Sequence, residues 1–144
     1  MFTKIAVALD ESPEAERALV VAIQLSKSLG AHLQAVTVMA DLPPYTAFAA
    51  AADPSILGTL SGDRFAFYER FQADARSLAL REGIELSTDL LDGEKVDAII
   101  AFVHQHQIDL LVIGLHHRSL RVSRLWSTVY ALAQDIPCSM LGVH

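Results

Sequence analysis

Two apolar runs constrain this chain more than any other feature. Residues 4–9 (Lys4-Ile-Ala-Val-Ala-Leu9) and 110–113 (Leu110-Leu-Val-Ile113) are too short for stable helices, and neither alternates polar with apolar residues. A strand wetted on one side alternates; one that is apolar throughout is covered on both faces, as in a parallel sheet between two helical layers. Parallel neighbours need crossover connections, usually helical, so the segments between the runs are expected to carry amphipathic helices.

They do. After the first run, Ser12-Pro13 supplies an N-cap and a first-turn proline, and Glu14 and Glu16 follow at the positive end of the helix dipole. Ala18, Ala22, Leu25 and Leu29 form one apolar stripe, with Gly30 placed to close the helix. Residues 32–39 alternate and are rich in Val and Thr, which predicts a second strand ended by Asp41-Leu-Pro-Pro44. Residues 43–62 are rich in Ala, Pro and Gly without a sustained amphipathic pattern and are expected to form a flexible loop. Asp63 is placed to cap a helix over 64–82 that turns Phe67, Phe71, Ala75 and Leu78 inward and stops at Gly83.

Residues 84–91 predict a third strand. Asp92-Gly93 then turns the chain into a helix carrying Val96, Ile99, Ile100 and Val103, and Asp109 leads into the fourth strand. A polar, basic loop over 114–124 precedes a helix over 125–133, Pro137 forces a stop, and residues 138–143 form the last strand. The order is βαβαβαβαβ, which implies right-handed crossovers onto a mostly parallel sheet.

The chain has 144 residues, 52% of them hydrophobic, which suits one domain spanning 1–144. A net charge of −6 repels a phosphate backbone, so nucleic acid is not an expected partner. The single cysteine, Cys138, has no internal disulfide partner and no leader precedes the first strand, which predicts a cytoplasmic protein. Every apolar run falls far short of the ~20 residues of a membrane helix, so no membrane association is expected.

Several chemistries are set aside. His104 and His106 are two apart on a helix, roughly 200° around its axis, and cannot share a metal; both read as surface residues. His116-His117 lacks partners at zinc spacing, and no metal is expected. No Gly-x-Ser-x-Gly elbow or Walker loop occurs, and Cys138 reads as inert core, so no catalytic residue is assigned. A phosphoaccepting receiver domain is disfavoured: no third-strand Asp stands in a receiver-like motif, and the Lys and final helix of that fold are missing.

Across essentially its whole length the sequence resembles the universal stress protein family. The resemblance rests on Ile5-Ala-Val-Ala-Leu-Asp10 followed by Ser12, with Glu11 where the family usually has Gly. It rests also on Asp92-Gly93, on Asp109-Leu-Leu-Val-Ile-Gly114 followed by Arg118, and on Ile136-Pro137-Cys138 before a closing apolar strand. It implies a doubly wound α/β fold of the adenine-nucleotide alpha-hydrolase kind: an open five-stranded parallel sheet of order 3-2-1-4-5 with helices on both faces. Strands one and four are then neighbours where the order reverses, and ligands favour that crevice. Asp10 and Gly114, at the ends of those strands, would meet there.

In nucleotide-binding relatives the loop after strand four carries three glycines and then Ser or Thr. The matching positions here are Gly114, His117, Ser127 and Thr128, so two glycines are replaced. Such glycines allow positive φ and close approach of backbone amides to phosphate. Losing two charge-assisted contacts of about 1.5–3 kcal/mol each would weaken binding roughly one hundred to ten thousandfold. Against that, His116, His117, Arg118, Arg121 and Arg124 surround a loop leading to a helix N-terminus, which reads either as a solvated loop or as an anion site. Ser127 and Thr128 offer hydroxyl donors, with Ser127 alternatively the N-cap of the last helix. The resemblance places Asp10 beside ribose, phosphate or metal, whereas its structural role would be to end the strand and tie the following turn. Val38 matches a position whose backbone contacts adenine in the family, and its side chain reads as core.

The implied function is a non-enzymatic stress-response or signalling module acting as a homodimer through residues 138–143, with weak or no ATP binding. The alternative is an ATP- or AMP-binding protein, with Mg if ATP binds and with slow hydrolysis, using an altered phosphate loop.

Overall fold

Strand β1 (Lys4–Ala8) is the spine of the molecule: Ile5, Ala6, Val7 and Ala8 are all buried, and the strand is paired on both sides. The structure, a computed structural model, describes residues 1–39, 41, 45–115 and 125–144, with the backbone alone for 125–127. In chain order β1 is followed by α1 (Pro13–Leu29), β2 (His32–Val38), α2 (Tyr45–Ala52), α3 (Ser55–Arg81), β3 (Leu86–Leu91), α4 (Lys95–His106), β4 (Leu110–Gly114), α5 (Leu125–Asp135) and β5 (Ser139–Val143). The strands form one parallel sheet of order β3-β2-β1-β4-β5, in which Val7 stands opposite Ala35 on one side and Val112 on the other.

Alternation along β1 divides the core into two layers. Ile5, Val7 and Leu9 face α1 and α3, packing with Ala18, Leu19, Ala22, Ile23, Ala75 and Ala79. Ala6 and Ala8 face α4 and α5, where Ile99, Phe102, Val103 and Leu132 close the second layer. The small residues of β1, Ala6 and Ala8, both lie on the face towards α4 and α5. Helix α1 begins as its sequence dictates: Ser12 is extended (φ −74°, ψ 148°) and its hydroxyl accepts from the Ala15 amide at 3.1 Å. It ends at Gly30 in the left-handed region (φ 64°), where an L side chain would be strained.

The second crossover departs from expectation. Residues 45–52 and 55–62, expected as flexible loop, are helical, so two helices join β2 to β3. The alanine content that gave no amphipathic signal also carries high helix propensity, and α2 stays largely exposed, with Tyr45 70% and Phe48 82% accessible. Asp63 consequently lies inside α3 rather than capping it. The inward face of α3 is rotated by about one position: Tyr68, Gln72, Ala75 and Ala79 are buried, Phe71 and Leu78 partly so, and Phe67 is exposed. Gln72 fits in that layer because its amide donates to the Asp89 carbonyl at 2.9 Å.

Smaller differences follow from capping and register. Glu94 caps α4 by accepting from the Asp97 amide at 2.9 Å, and the amides of Asp97 and Val96 hold its carboxyl below the usual range. Ser127 lies within the first turn of α5, after a start at Leu125, and not at its cap. Cys138 precedes β5 and is half-buried instead of core; burial and the nearby Asp109 carboxylate push its thiol pKa up despite a hydrogen bond with the Leu111 backbone. His104 is exposed as expected, whereas His106 stacks on Phe102 with ring centres 4.2 Å apart. No helix among the described residues is long and apolar enough to cross a membrane.

Asp109 ties β4 to β1 at the edge of the sheet where both strands begin. Its carboxylate accepts from the Thr3 amide (2.8 Å), the Thr3 hydroxyl (3.0 Å) and the Lys4 amide (3.1 Å). Burial alone would raise its pKa, but these bonds to the charged form outweigh it and hold the pKa below the ordinary value. A depressed folded-state pKa stabilises above the unfolded value and loses that stabilisation as pH falls through the folded value. Asp109→Ala should cost about 1–3 kcal/mol in urea unfolding at pH 7. The gap from the parent should narrow as pH falls below about 4, and a gap independent of pH would contradict this account.

Candidate functional site

The reversal of strand order between β1 and β4 opens a cavity of about 210 Å³ at the ends of the strands. Leu9 and Asp10 enter it from the end of β1, Ser12 and Ala15 from the start of α1, and Val36 and Val38 from β2. Ile113 and Gly114 come from β4, Lys95 and Ile99 from α4, and Thr128 and Val129 from α5. Three helices begin around one apolar floor, which is the expected consequence of winding helices on both faces of a parallel sheet.

Five of the eight residues singled out from the sequence therefore share one cavity: Asp10, Ser12, Val38, Gly114 and Thr128. His117 and Arg118 lie outside the described residues, and Ser127 is placed only by its backbone, in the first turn of α5. Asp10 and Ser12 are also tied locally. Oδ1 of Asp10 accepts from the Ser12 amide at 2.9 Å, while the Ser12 hydroxyl caps α1. The last β1 residue paired with β2 is Ala8, opposite Val36, so Val38 extends past β1 to the cavity wall while still paired with Leu91 of β3.

Gly114 has a structural job besides the one the sequence suggested. It is not among the glycines of positive φ. Instead, a Cβ built there would lie 2.5 Å from the Glu14 carbonyl carbon and 2.7 Å from the Ala15 nitrogen, so the first turn of α1 rests directly on the end of β4. The close approach that glycine permits is made to the protein's own backbone, and it is what brings α1 to the cavity.

Lys95 was missed in the sequence. Its Nζ lies 3.6 Å from Oδ2 of Asp10, with side chains 48% and 34% exposed respectively. The available signal was positional: Gly93 and Glu94 end the third βα turn, and every βα turn of a parallel sheet opens on the same edge. Among the described lining residues, Asp10 is the lone carboxylate and already has Lys95 beside it. No group of three or more His, Cys, Asp or Glu among the described residues is arranged to hold a metal ion. The described residues therefore do not provide for a metal held by protein groups alone, whereas Mg²⁺ carried on phosphates would need only one carboxylate such as Asp10.

The model of the universal stress protein family matches residues 1–144. The chain belongs to that family. It is 24% identical over 119 residues to universal stress protein C of Escherichia coli (strain K12), covering 82% of this chain and 79% of that one. Among solved structures, the universal stress protein UspA from Lactobacillus plantarum superposes with a TM-score of 0.79 at 24% identity, over 99% of this chain and 98% of that one. A universal stress protein from Archaeoglobus fulgidus in complex with dAMP gives 0.70 at 19% identity, over 99% and 98%. Two further relatives are described in complex with cAMP (0.71, 19% identity, over 99% and 97%) and, from Arabidopsis thaliana, with AMP bound (0.69, 14% identity, over 98% and 90%).

Because Gly114 supports α1, Gly114→Ala should act on stability before it acts on any ligand. A backbone clash of this closeness must push α1 off β4, and a loss of about 1–3 kcal/mol is expected. Denaturant unfolding of the purified variant measures it; an unchanged midpoint would show that α1 does not rest on this glycine.

Proposed function

We propose that this universal stress protein is a non-enzymatic stress-response module that works as a homodimer, and that its cavity between β1 and β4 takes an adenine nucleotide of the AMP kind while holding ATP weakly. The observation that carries the reading is the convergence of Asp10, Val38, Gly114 and Thr128 on one cavity at the strand-order reversal. The relatives with dAMP, cAMP and AMP support the class of ligand. Weak binding of a triphosphate is expected because His117 and Ser127 stand where nucleotide-binding relatives carry glycine.

Support for the dimer comes from β5. It is an edge strand whose Leu141 is 36% exposed, and among the described residues it pairs only with β4. Such an edge is a template for further pairing, and a second copy related by a two-fold axis would cover it.

Two measurements test the proposal. AMP at one hundred times its Kd should add about 2.7 kcal/mol of stability, a rise of roughly 5–10 °C in Tm, with a smaller rise for the same concentration of ATP. No heat of binding for AMP at millimolar concentration would end the nucleotide reading. Light scattering at micromolar concentration should give a dimer that Leu141→Glu converts to a monomer; a monomeric parent protein would refute the pairing.

A further inference from the structure

We infer that Leu115, seated on Gly142 of β5, is a positioning residue for the anionic end of the ligand, because it fixes where the basic segment 116–124 leaves the sheet. This deepens, and rests on, the nucleotide reading above. Gly114 lines the cavity, and Leu115 follows it directly. His116, His117, Arg118, Arg121 and Arg124 come next in the sequence. The direction in which the chain leaves Leu115 therefore sets where those side chains start.

Leu115 is held to the edge strand in two ways. Its amide donates to the Val143 carbonyl at 2.6 Å, one residue past the Gly114–Val143 pair that ends the ladder. Its side chain lies over Gly142, where an added Cβ would come within 2.5 Å of Cδ1 and 2.9 Å of Cγ. The leucine thus fills the space that a side chain at 142 would need, and it packs there against the second core layer. A segment whose starting direction is already fixed has less freedom to lose when it meets a ligand.

Strand physics alone does not account for a glycine at 142. It lies inside β5, paired opposite Ile113, and is not among the glycines of positive φ. A glycine within a strand weakens it and marks a place where another group approaches closely. Here that group is the Leu115 side chain. At Gly114 an added methyl meets backbone and costs the fold. At Gly142 it meets the end of a side chain that can turn, so what is lost is the seat of Leu115 and not the pairing of the sheet.

The experiment compares AMP with adenosine by calorimetry, because the two share base and ribose and only AMP carries a phosphate. AMP affinity should fall about tenfold in Gly142→Ala and in Leu115→Ala, with adenosine affinity within about threefold of the parent. Leu115→Met, which can fill the same seat, should keep the parent values. The double variant Leu115→Ala/Gly142→Ala should also lose about tenfold, since the contact is already broken in either single variant, whereas independent losses would multiply to about a hundredfold. A leucine that only filled the core would lower the urea midpoint and leave the ratio of AMP to adenosine affinity alone. An unchanged ratio in Gly142→Ala, or losses that multiply in the double variant, overturns the inference while leaving nucleotide binding intact. A parent protein that binds neither compound overturns the nucleotide reading, and this inference with it.

Discussion

Everything in this structure depends on β1 having no wet face and no free edge. Its residues from Ile5 to Leu9 are buried, β2 and β4 flank it, and helices lie above and below. Because β2 follows on one side and β4 is added on the other, the chain must wind one way and then reverse. The reversal parts the connecting segments at the ends of β1 and β4 and leaves a cavity there. The cavity is therefore a product of how the central strand is covered, before any residue in it is chosen for a ligand.

The residues around that cavity serve the fold and the site together. Ser12 caps α1 while lining the wall, Asp10 ties the turn while presenting a carboxylate, and Gly114 admits α1 while ending β4. The fold needs Asp10, Ser12 and Gly114 whatever the ligand. Lys95 stands apart, since neither the start of α4 nor the pairing of strands requires it.

Legibility in the sequence followed the strength of local physics. Strand positions, the Ser12 cap and the Gly30 stop could be read because each rests on neighbours within a few residues. The helices over 45–62 could not, since alanine-rich exposed segments lack the periodicity by which a helix is recognised, and the one-position rotation of α3 was decided by packing on Leu33, Ala35 and Leu86. At the site, Asp10, Ser12, Val38, Gly114 and Thr128 were found through a family resemblance and a topology, but the reason for Gly114 was not. A glycine that ends a strand gives no sign in sequence that a helix from elsewhere in the chain rests on it.

By itself, then, the sequence determined the two-sided burial of its central strands and hence an α/β sheet, because apolar runs without alternation leave no other stable arrangement. It also determined where α1 begins and ends, since caps act over a single turn. Only the tertiary structure decided that α1 rests on Gly114, and that Lys95 meets Asp10 from the far side of the crevice. Those contacts join segments distant in the chain, and distance in sequence carries no information about distance in space until the strand order is set.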